Sequence, residues 1–295
     1  MMLQFARLTR QPSDLTQLAA WLADLNQQPQ HHIGYLGTEP AEIAQSIQDF
    51  DVLPHKAWIV AHAGQELVGA LGFDIDLDAG RTWLYGPFAN HSDWPTVADG
   101  LWSNLQPLLP QITLEHELFC NEQHANCIAF AERHGFRQHS HDFIWNFHRG
   151  LLAQLSETTA EVLTELYYEA VCNLHDQIFP GTYYSGQEIL NRLNDQRRMF
   201  IATDNGQLLG YAYVEVEPAF GDGSIEFIGV DNAARGRGIG SQLMAASLQW
   251  MFSFETVQEI NLTVNAENQR ALGLYRRVGF QHAHTMCSFR KIVEK

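Results

Sequence analysis

The chain has 295 residues, 45% of them hydrophobic and 18% charged, enough for one large or two ordinary domains with proper cores and too apolar for overall disorder. With 34 acidic against 18 basic side chains the formal charge is −16, so any surface for DNA or RNA would need a local basic patch. The two arginine pairs, Arg197-Arg198 and Arg276-Arg277, are too short to make one.

No run reaches the roughly 18 apolar residues of a membrane span. The start, Met1-Met2-Leu3-Gln4-Phe5-Ala6-Arg7, lacks a charged-then-apolar leader pattern. A soluble cytoplasmic protein with neither nucleic-acid nor membrane partners is expected. Cys120, Cys127, Cys172 and Cys287 form no CxxC pair, which predicts reduced, mostly buried thiols. The scattered histidines, such as His31-His32, His139 and His141, lack the spacing of a zinc site, and no metal is expected.

In chain order, Trp58-Ile59-Val60-Ala61, a Gly64-Gln65 turn and Leu67-Val68-Gly69 predict a β-hairpin. Leu118 and Cys120 alternate in a strand that feeds a helix carrying Cys127, Phe130, Ala131 and His134 on one face, with Gly135 at its end. Phe143-Ile144-Trp145-Asn146-Phe147 reads as a further strand.

The same order then returns. Phe200-Ile201-Ala202-Thr203, Gly206-Gln207 and Leu208-Leu209-Gly210 predict a second hairpin, and Leu262 and Val264 precede a helix with Ala271, Leu274, Tyr275 and Val278 on its face. Met286-Cys287-Ser288-Phe289-Arg290 closes this half as a strand. The terminal glycines Gly135 and Gly279 lie 144 residues apart. An internal repeat accounts for hairpin, strand, helix and cap recurring in one order, with a boundary near Gly150 to Ser156. The expected domains are 1–150 and 151–295, each a mixed α/β (α+β) layout.

The chemistry-bearing segment lies in the second half, where the strand Ser224-Ile225-Glu226-Phe227-Ile228-Gly229-Val230 runs into a glycine-rich turn that opens a helix. Ile239, Leu243, Ala246 and Trp250 give that helix one apolar face. Its first turn offers free N–H groups and a positive dipole end to an anion, and Gly236, Gly238 and Gly240 leave the backbone approachable. The alternative is a turn that needs glycine only for its φ/ψ values. No Lys-Ser or Lys-Thr follows the last glycine, so a Walker phosphate loop is excluded, and the glycine spacing is wrong for a dinucleotide-binding fingerprint.

The segment from Ile225 to Phe280 resembles the GCN5-related N-acetyltransferase (GNAT) superfamily. In that family a Gln/Arg-x-x-Gly-x-Gly/Ala loop binds the pyrophosphate of acetyl-coenzyme A, and Arg235-Gly236-Arg237-Gly238-Ile239-Gly240 has that form. Also similar are Ile260-Asn261-Leu262-Thr263-Val264-Asn265, the Asn268 position and the ending Tyr275-Arg276-Arg277-Val278-Gly279-Phe280. The resemblance implies two tandem acyl-CoA N-acyltransferase-like domains, the phosphates held from Arg235 through Ser241 with Ile239 in the first turn. It further implies that strands Ile225–Val230 and Ile260–Asn265 splay, with the pantetheine arm between them along Ile228, Gly229 and Val230. Asn265 or Asn268 would reach the arm, or would simply cap the next helix.

For catalysis the resemblance implies direct attack of a primary amine, on a small molecule or peptide, on the thioester. Tyr275 is the expected general acid, a plain core tyrosine being its rival reading. Glu226 is the expected base, the alternative being a solvent-facing or arginine-paired carboxylate; Glu215 and Glu217 come next, on one sheet face with Tyr211 and Tyr213. Residues 175–185 resemble the loop that covers the acceptor site in related bacterial members, and Tyr183 and Tyr184, after Pro180-Gly181, would line that site together with Glu215, the alternative for the tyrosines being structural packing.

The first half lacks these features. In place of the glycine loop stands Trp83-Leu84-Tyr85-Gly86-Pro87-Phe88-Ala89-Asn90-His91-Ser92-Asp93-Trp94-Pro95, with prolines that cannot donate and an aspartate that would repel phosphate. The repeat also sets Ala131 where the second half has Tyr275. The first domain is therefore expected to be degenerate and non-catalytic, serving to shape the acceptor cleft, to stabilise the second half or to form a homodimer contact. A non-catalytic acyl-CoA sensor is the competing functional class.

Overall fold

The computed structural model describes residues 2–77 and 80–293. Two compact units are present: Met1–Asp142 together with His284–Lys295, and Phe143–Ala283. This differs from a division at 150/151, which places the closing strand in the second half; the chain instead returns to its first unit at His284.

The elements up to the first exchange of units are β1 (Leu3–Arg7), α1 (Pro12–Asn26), α2 (Pro40–Gln48), α3 (Pro54–Ala57), β2 (Trp58–Ala63), β3 (Glu66–Asp76), β4 (Arg81–Ala89), α4 (Trp94–Leu105), β5 (Glu115–Asn121), α5 (Ala125–Arg133) and β6 (Arg137–His148). There follow β7 (Glu161–Val162), α6 (Tyr168–Ile178), α7 (Gly186–Arg192), β8 (Arg197–Asp204), β9 (Gln207–Glu217), β10 (Asp222–Val230), α8 (Ile239–Met251), β11 (Glu259–Asn265), α9 (Gln269–Val278) and β12 (Gln281–Ile292).

In the first unit the strands lie in the order β1-β2-β3-β4-β5-β12. β1 to β4 are antiparallel neighbours, β5 runs parallel to β4, and β12 pairs antiparallel with β5, Cys287 facing Cys120. The core joins Leu18 and Leu22 of α1 and Val97 and Leu101 of α4 to Trp58, Phe73 and Phe88 of the sheet. In the second unit the order is β6-β11-β10-β9-β8-β7. One apolar cluster gathers α8 and α9 through Leu243, Leu248 and Leu272, and another gathers α6 and α7 through Val171 and Ile189. Each half is a mixed α/β fold.

Both expected hairpins form, as β2–β3 and β8–β9. At the second, Asn205 has φ +50° and Gly206 φ +78°, the two left-handed residues that a tight turn matched to strand twist requires. Helix α8 is buried more widely than one face, with Met244, Ala245, Ser247 and Leu248 all inside. Trp250 is only half-buried, under the Arg198 guanidinium at 4.7 Å from the ring centroid. Cys120, Cys127 and Cys287 are free and buried, Cys172 free and partly buried. Among the described residues no helix is long and apolar enough to cross a membrane.

Candidate functional site

β10 and β11 run parallel, and among the described residues their ladder consists of Ser224 facing Asn261. Beyond it the strands diverge and enclose a cavity of about 690 Å³, walled by Ile225–Val230 of β10 and Thr263–Asn265 of β11. Asp231 N–H donates to the Leu209 carbonyl at 2.9 Å. Because successive peptide groups point to opposite strand edges, Ile228 and Val230 turn their backbone polar groups toward the cavity edge, and Gly229 turns its own toward β9.

A bulge interrupts β10. Ile225 faces Val214 and Phe227 faces Tyr213, which leaves Glu226 as the extra residue. Residues two apart normally share a sheet face, yet Ile225 packs into the α8–α9 cluster and Phe227 into the α6–α7 cluster. The bulge re-aims Glu226. Its Oε2 accepts from the Tyr183 hydroxyl at 2.6 Å, and its Oε1 accepts from the Ser224 hydroxyl.

At the other end of the cavity Gly236 and Gly238 have φ +78° and +79°, and a Cβ placed on either would meet open space. Gly238 is the N-cap of α8 and supplies no side chain to its first turn. The free N–H groups of that turn therefore open beside a backbone that only glycine adopts readily. Gly240 serves another purpose: a Cβ there would lie 3.0 Å from Leu274, so it lets α9 approach α8. Arg235, Gly236, Gly238, Ile239, Gly240 and Ser241 line the cavity. Arg235 Nε donates to the Val230 carbonyl at 3.3 Å. Arg237 lies outside that lining and pairs with Asp204 at 2.9 Å, a partner that local sequence does not reveal.

Tyr275 lines the cavity from α9 and is 6% exposed. Burial pushes its phenol up to about 12, which keeps the proton on at neutral pH. Both asparagines line the cavity and both also serve their own backbone: Asn265 Oδ1 accepts from Glu267 N–H at 2.9 Å, and Asn268 Oδ1 caps α9 by accepting from Ala271 N–H at 3.1 Å. Ile178 and Phe179, from the segment that resembles an acceptor-site loop, also line the cavity, as do Ala234, Ala271 and Leu274, and so do Arg270 and Arg277, to which sequence reasoning gave no role. Glu226 is the one carboxylate in the wall among the described residues.

Tyr183 and Tyr184 lie ring to ring, 4.8 Å between centroids, and Arg192 links Tyr184 to Glu215, but none of the three is in the cavity wall. Glu215 accepts from Tyr213 at 2.5 Å and pairs with Arg192 and Arg197, each at 3.0 Å. Burial acts to raise its pKa, but the bonds from Tyr213, Arg197 and Arg192 outweigh it and hold the carboxyl below its usual value. Glu215 is thus a neutralised ion pair outside the cavity wall. Tyr184 lies outside it too and stacks under Arg192, 4.1 Å from the ring centroid. The Tyr184 carbonyl accepts from His175 Nε2 at 2.8 Å, so His175 Nδ1 accepts from the Tyr211 hydroxyl at 2.5 Å. This chain of bonds fixes the loop that carries Tyr183 to Glu226. Among the described residues no group of three or more His, Cys, Asp or Glu side chains is arranged to hold a metal.

Residues 168–280, which contain this whole cavity, match the Acetyltransferase (GNAT) family. This segment is a GNAT domain. Mycothiol acetyltransferase of Clavibacter michiganensis subsp. michiganensis is 35% identical over 98 residues, 33% of this chain and 31% of that protein. The same enzyme of Mycolicibacterium gilvum is 37% identical over 86 residues, 28% of each chain. The match thus spans about a third of the length of these relatives. A GCN5-related N-acetyltransferase from Sphaerobacter thermophilus superposes with a TM-score of 0.73 at 18% identity, covering 99% of this chain and 96% of that one. A tandem GNAT protein from the clavulanic acid biosynthesis pathway superposes with a TM-score of 0.69 at 15% identity, covering 100% and 99%. These likenesses establish a tandem GNAT fold for the chain.

The first unit carries the GNAT fold with its corresponding slot filled by its own chain. The β4–β5 ladder ends at Leu84 facing Leu118. Beyond it, Asn121 N–H donates to the His32 carbonyl at 3.0 Å and Gly34 N–H to the Phe119 carbonyl at 2.9 Å, with Ile33 bridged to Cys120. Glu122 N–H donates to Thr285 on the β12 side, so Phe119 and Asn121 point to the β4 side by alternation. Phe119, Cys120 and Asn121 stand 144 residues before Thr263, Val264 and Asn265, the β11 wall of the GNAT cavity. A short strand of self thus lies where the second unit is open. Pro87 belongs to β4 and not to a phosphate turn, and Asp93 caps α4 by accepting from Thr96 N–H at 3.3 Å, which puts a carboxylate at that helix's positive end. Ala131 is fully buried and brings no hydroxyl.

Proposed function

We propose that the second unit transfers an acetyl group from acetyl-coenzyme A to a primary amine. The observation that carries this reading is the cavity between diverging β10 and β11, with open left-handed glycines and Arg235 at one end and Glu226 at the other. About four residues of extended strand, roughly 13 Å, separate Glu226 from Val230, where the phosphate loop begins. A polyanionic coenzyme and a cationic acceptor fit the two ends. The residues present suit the coenzyme: N–H groups at α8 for its diphosphate, Ile228 and Val230 backbone for its amides, and a protonated Tyr275.

In this reading the amine nitrogen bonds to the thioester carbon as the C–S bond breaks. Glu226 takes one proton from the ammonium to free the amine for attack, the Tyr275 O–H protonates the departing sulfur, and the second proton shed by the acylated nitrogen returns to the Tyr275 oxygen, leaving a neutral amide. Thiol release with acetyl-coenzyme A and a panel of amines tests it, and Tyr275→Phe is expected to lower kcat about 100-fold with the coenzyme Kd unchanged. Binding without turnover of any amine would leave a sensor of acyl-coenzyme A. Calorimetric titration should give one coenzyme site per chain, because the first unit's slot is occupied by His32–Gly34; two equivalent sites would refute that part.

A further inference from the structure

Glu226, hydrogen-bonded to Tyr183, and Glu215, cross-strand from Ser224, differ in how their charge is met. Glu215 is neutralised by Arg192 and Arg197. Glu226 receives only hydroxyl donors, Tyr183 on Oε2 and Ser224 on Oε1, and among the described residues no arginine or lysine pairs with it. A carboxylate has about four acceptor positions, so two hydroxyl bonds orient it and leave lone pairs and an unspent charge. Beside it the surface is apolar. Phe179 lines the cavity 5.2 Å from the Phe227 ring, and the Tyr183 ring lies 4.9 Å from Phe227.

Building on the acetyltransferase reading, we propose that the acceptor is an apolar monoamine, and that Ser224 is a positioning residue which, with Tyr183, holds Glu226 to receive its ammonium. One unspent carboxylate binds one ammonium. A second charge on the same acceptor would have to be desolvated against Phe179 and Phe227, and Glu215, cross-strand from Ser224, is already engaged by Arg192 and Arg197. Ser224 acts from the residue where the β10–β11 ladder ends, so its hydroxyl anchors the bulged Glu226 to the last paired position of the strand.

Phenethylamine and spermidine are the probes, used with the full chain and acetyl-coenzyme A. The wild type is expected to give a kcat/KM for phenethylamine at least about tenfold above that for spermidine. Ser224→Ala should lower kcat/KM for phenethylamine about tenfold with the acetyl-coenzyme A Kd unchanged, and Ser224→Thr should restore it to within about twofold, a rescue that loss of packing would not give. Wild-type kinetics in Ser224→Ala, failure of the threonine rescue, or equal or better use of spermidine would overturn the proposal while leaving the acetyltransferase reading intact. A wild type that binds acetyl-coenzyme A yet acetylates neither amine would overturn it as well. Failure to bind acetyl-coenzyme A would instead remove the reading on which it rests.

Discussion

Acidification from pH 6.5 toward 4 is expected to unfold the first unit while the second remains folded. His32 is pushed down to about 4, chiefly by burial and further by His284, although its bond to the Asn26 carbonyl opposes the shift; His124 is pushed down to about 3 by burial and by His31 and His32. His116 is likewise lowered to about 4 by burial and by Lys291. All three lie in the first unit. Their folded-state values sit below the ordinary 6.5, so below that pH the unfolded chain binds more protons and stability falls as pH falls. Each of His32 and His124 then withdraws about 1.4 kcal/mol per pH unit, down to its own folded value. Two such groups over two units rival the roughly 5–15 kcal/mol that holds a domain together.

His124 has a second reason to stay neutral. Its Nδ1 caps α5 by accepting from Cys127 N–H at 3.3 Å, and a protonated ring has no lone pair to give. It stands 144 residues before Asn268, which caps α9 in the same way without titrating. Hydrogen exchange followed against pH should show β5 and α5 amides losing protection ahead of β9 and α8. His124→Asn should move that loss to lower pH. Simultaneous loss in both units, or no shift in the variant, would contradict the account.

Asn26→Ala is expected to destabilise the first unit by about 3–5 kcal/mol, through loss of the clamp on the strand that fills its slot. The Asn26 side chain accepts from Ile33 N–H at 2.7 Å and donates to the carbonyls of Ile33, Leu36 and Gly37 at 3.2, 2.9 and 2.9 Å. Asn26 and Ile33 are almost wholly buried, so alanine strands one donor and weakens three acceptors with little water to replace them. Asn26→Asp keeps the size but turns a donor into an oxygen facing three carbonyls, and should be at least as damaging. Urea unfolding followed at first-unit amides measures both; a loss under about 1 kcal/mol would mean the segment is held by other contacts.

What the sequence discloses is whatever local chemistry enforces. The tight turn at Asn205-Gly206, the cap residue Asn268 and the left-handed Gly236 and Gly238 each depend on a few neighbouring residues, and each was readable. The resemblance to GNAT proteins rested on such positions. The bulge at Glu226 is created by β9, which pairs Tyr213 with Phe227, so no spacing within β10 announces it. The pairing of Glu215 with Arg192 and Arg197 is likewise tertiary, and it withdraws from the acceptor site a residue that alternation had placed there. The filled slot of the first unit was hidden for the same reason: the sequence shows the proline and aspartate that spoil a phosphate loop, but nothing in His32-Ile33-Gly34 foretells an added strand. Gly34 is intelligible only afterwards, since a Cβ there would lie 2.5 Å from the Phe119 ring.

The return of β12 to β5 ties the order of biosynthesis to the order of folding. Glu115 through Asn121 have Ile292 through Met286 as their antiparallel partners, residues that the ribosome adds only after the whole second unit, Phe143–Ala283, has been synthesised. Vectorial folding from the N-terminus, the usual habit of multidomain chains, is therefore closed to this protein. Its earlier-made half must wait with one long edge of β5 bare, a surface that chaperones bind and aggregates recruit, until the final strand arrives.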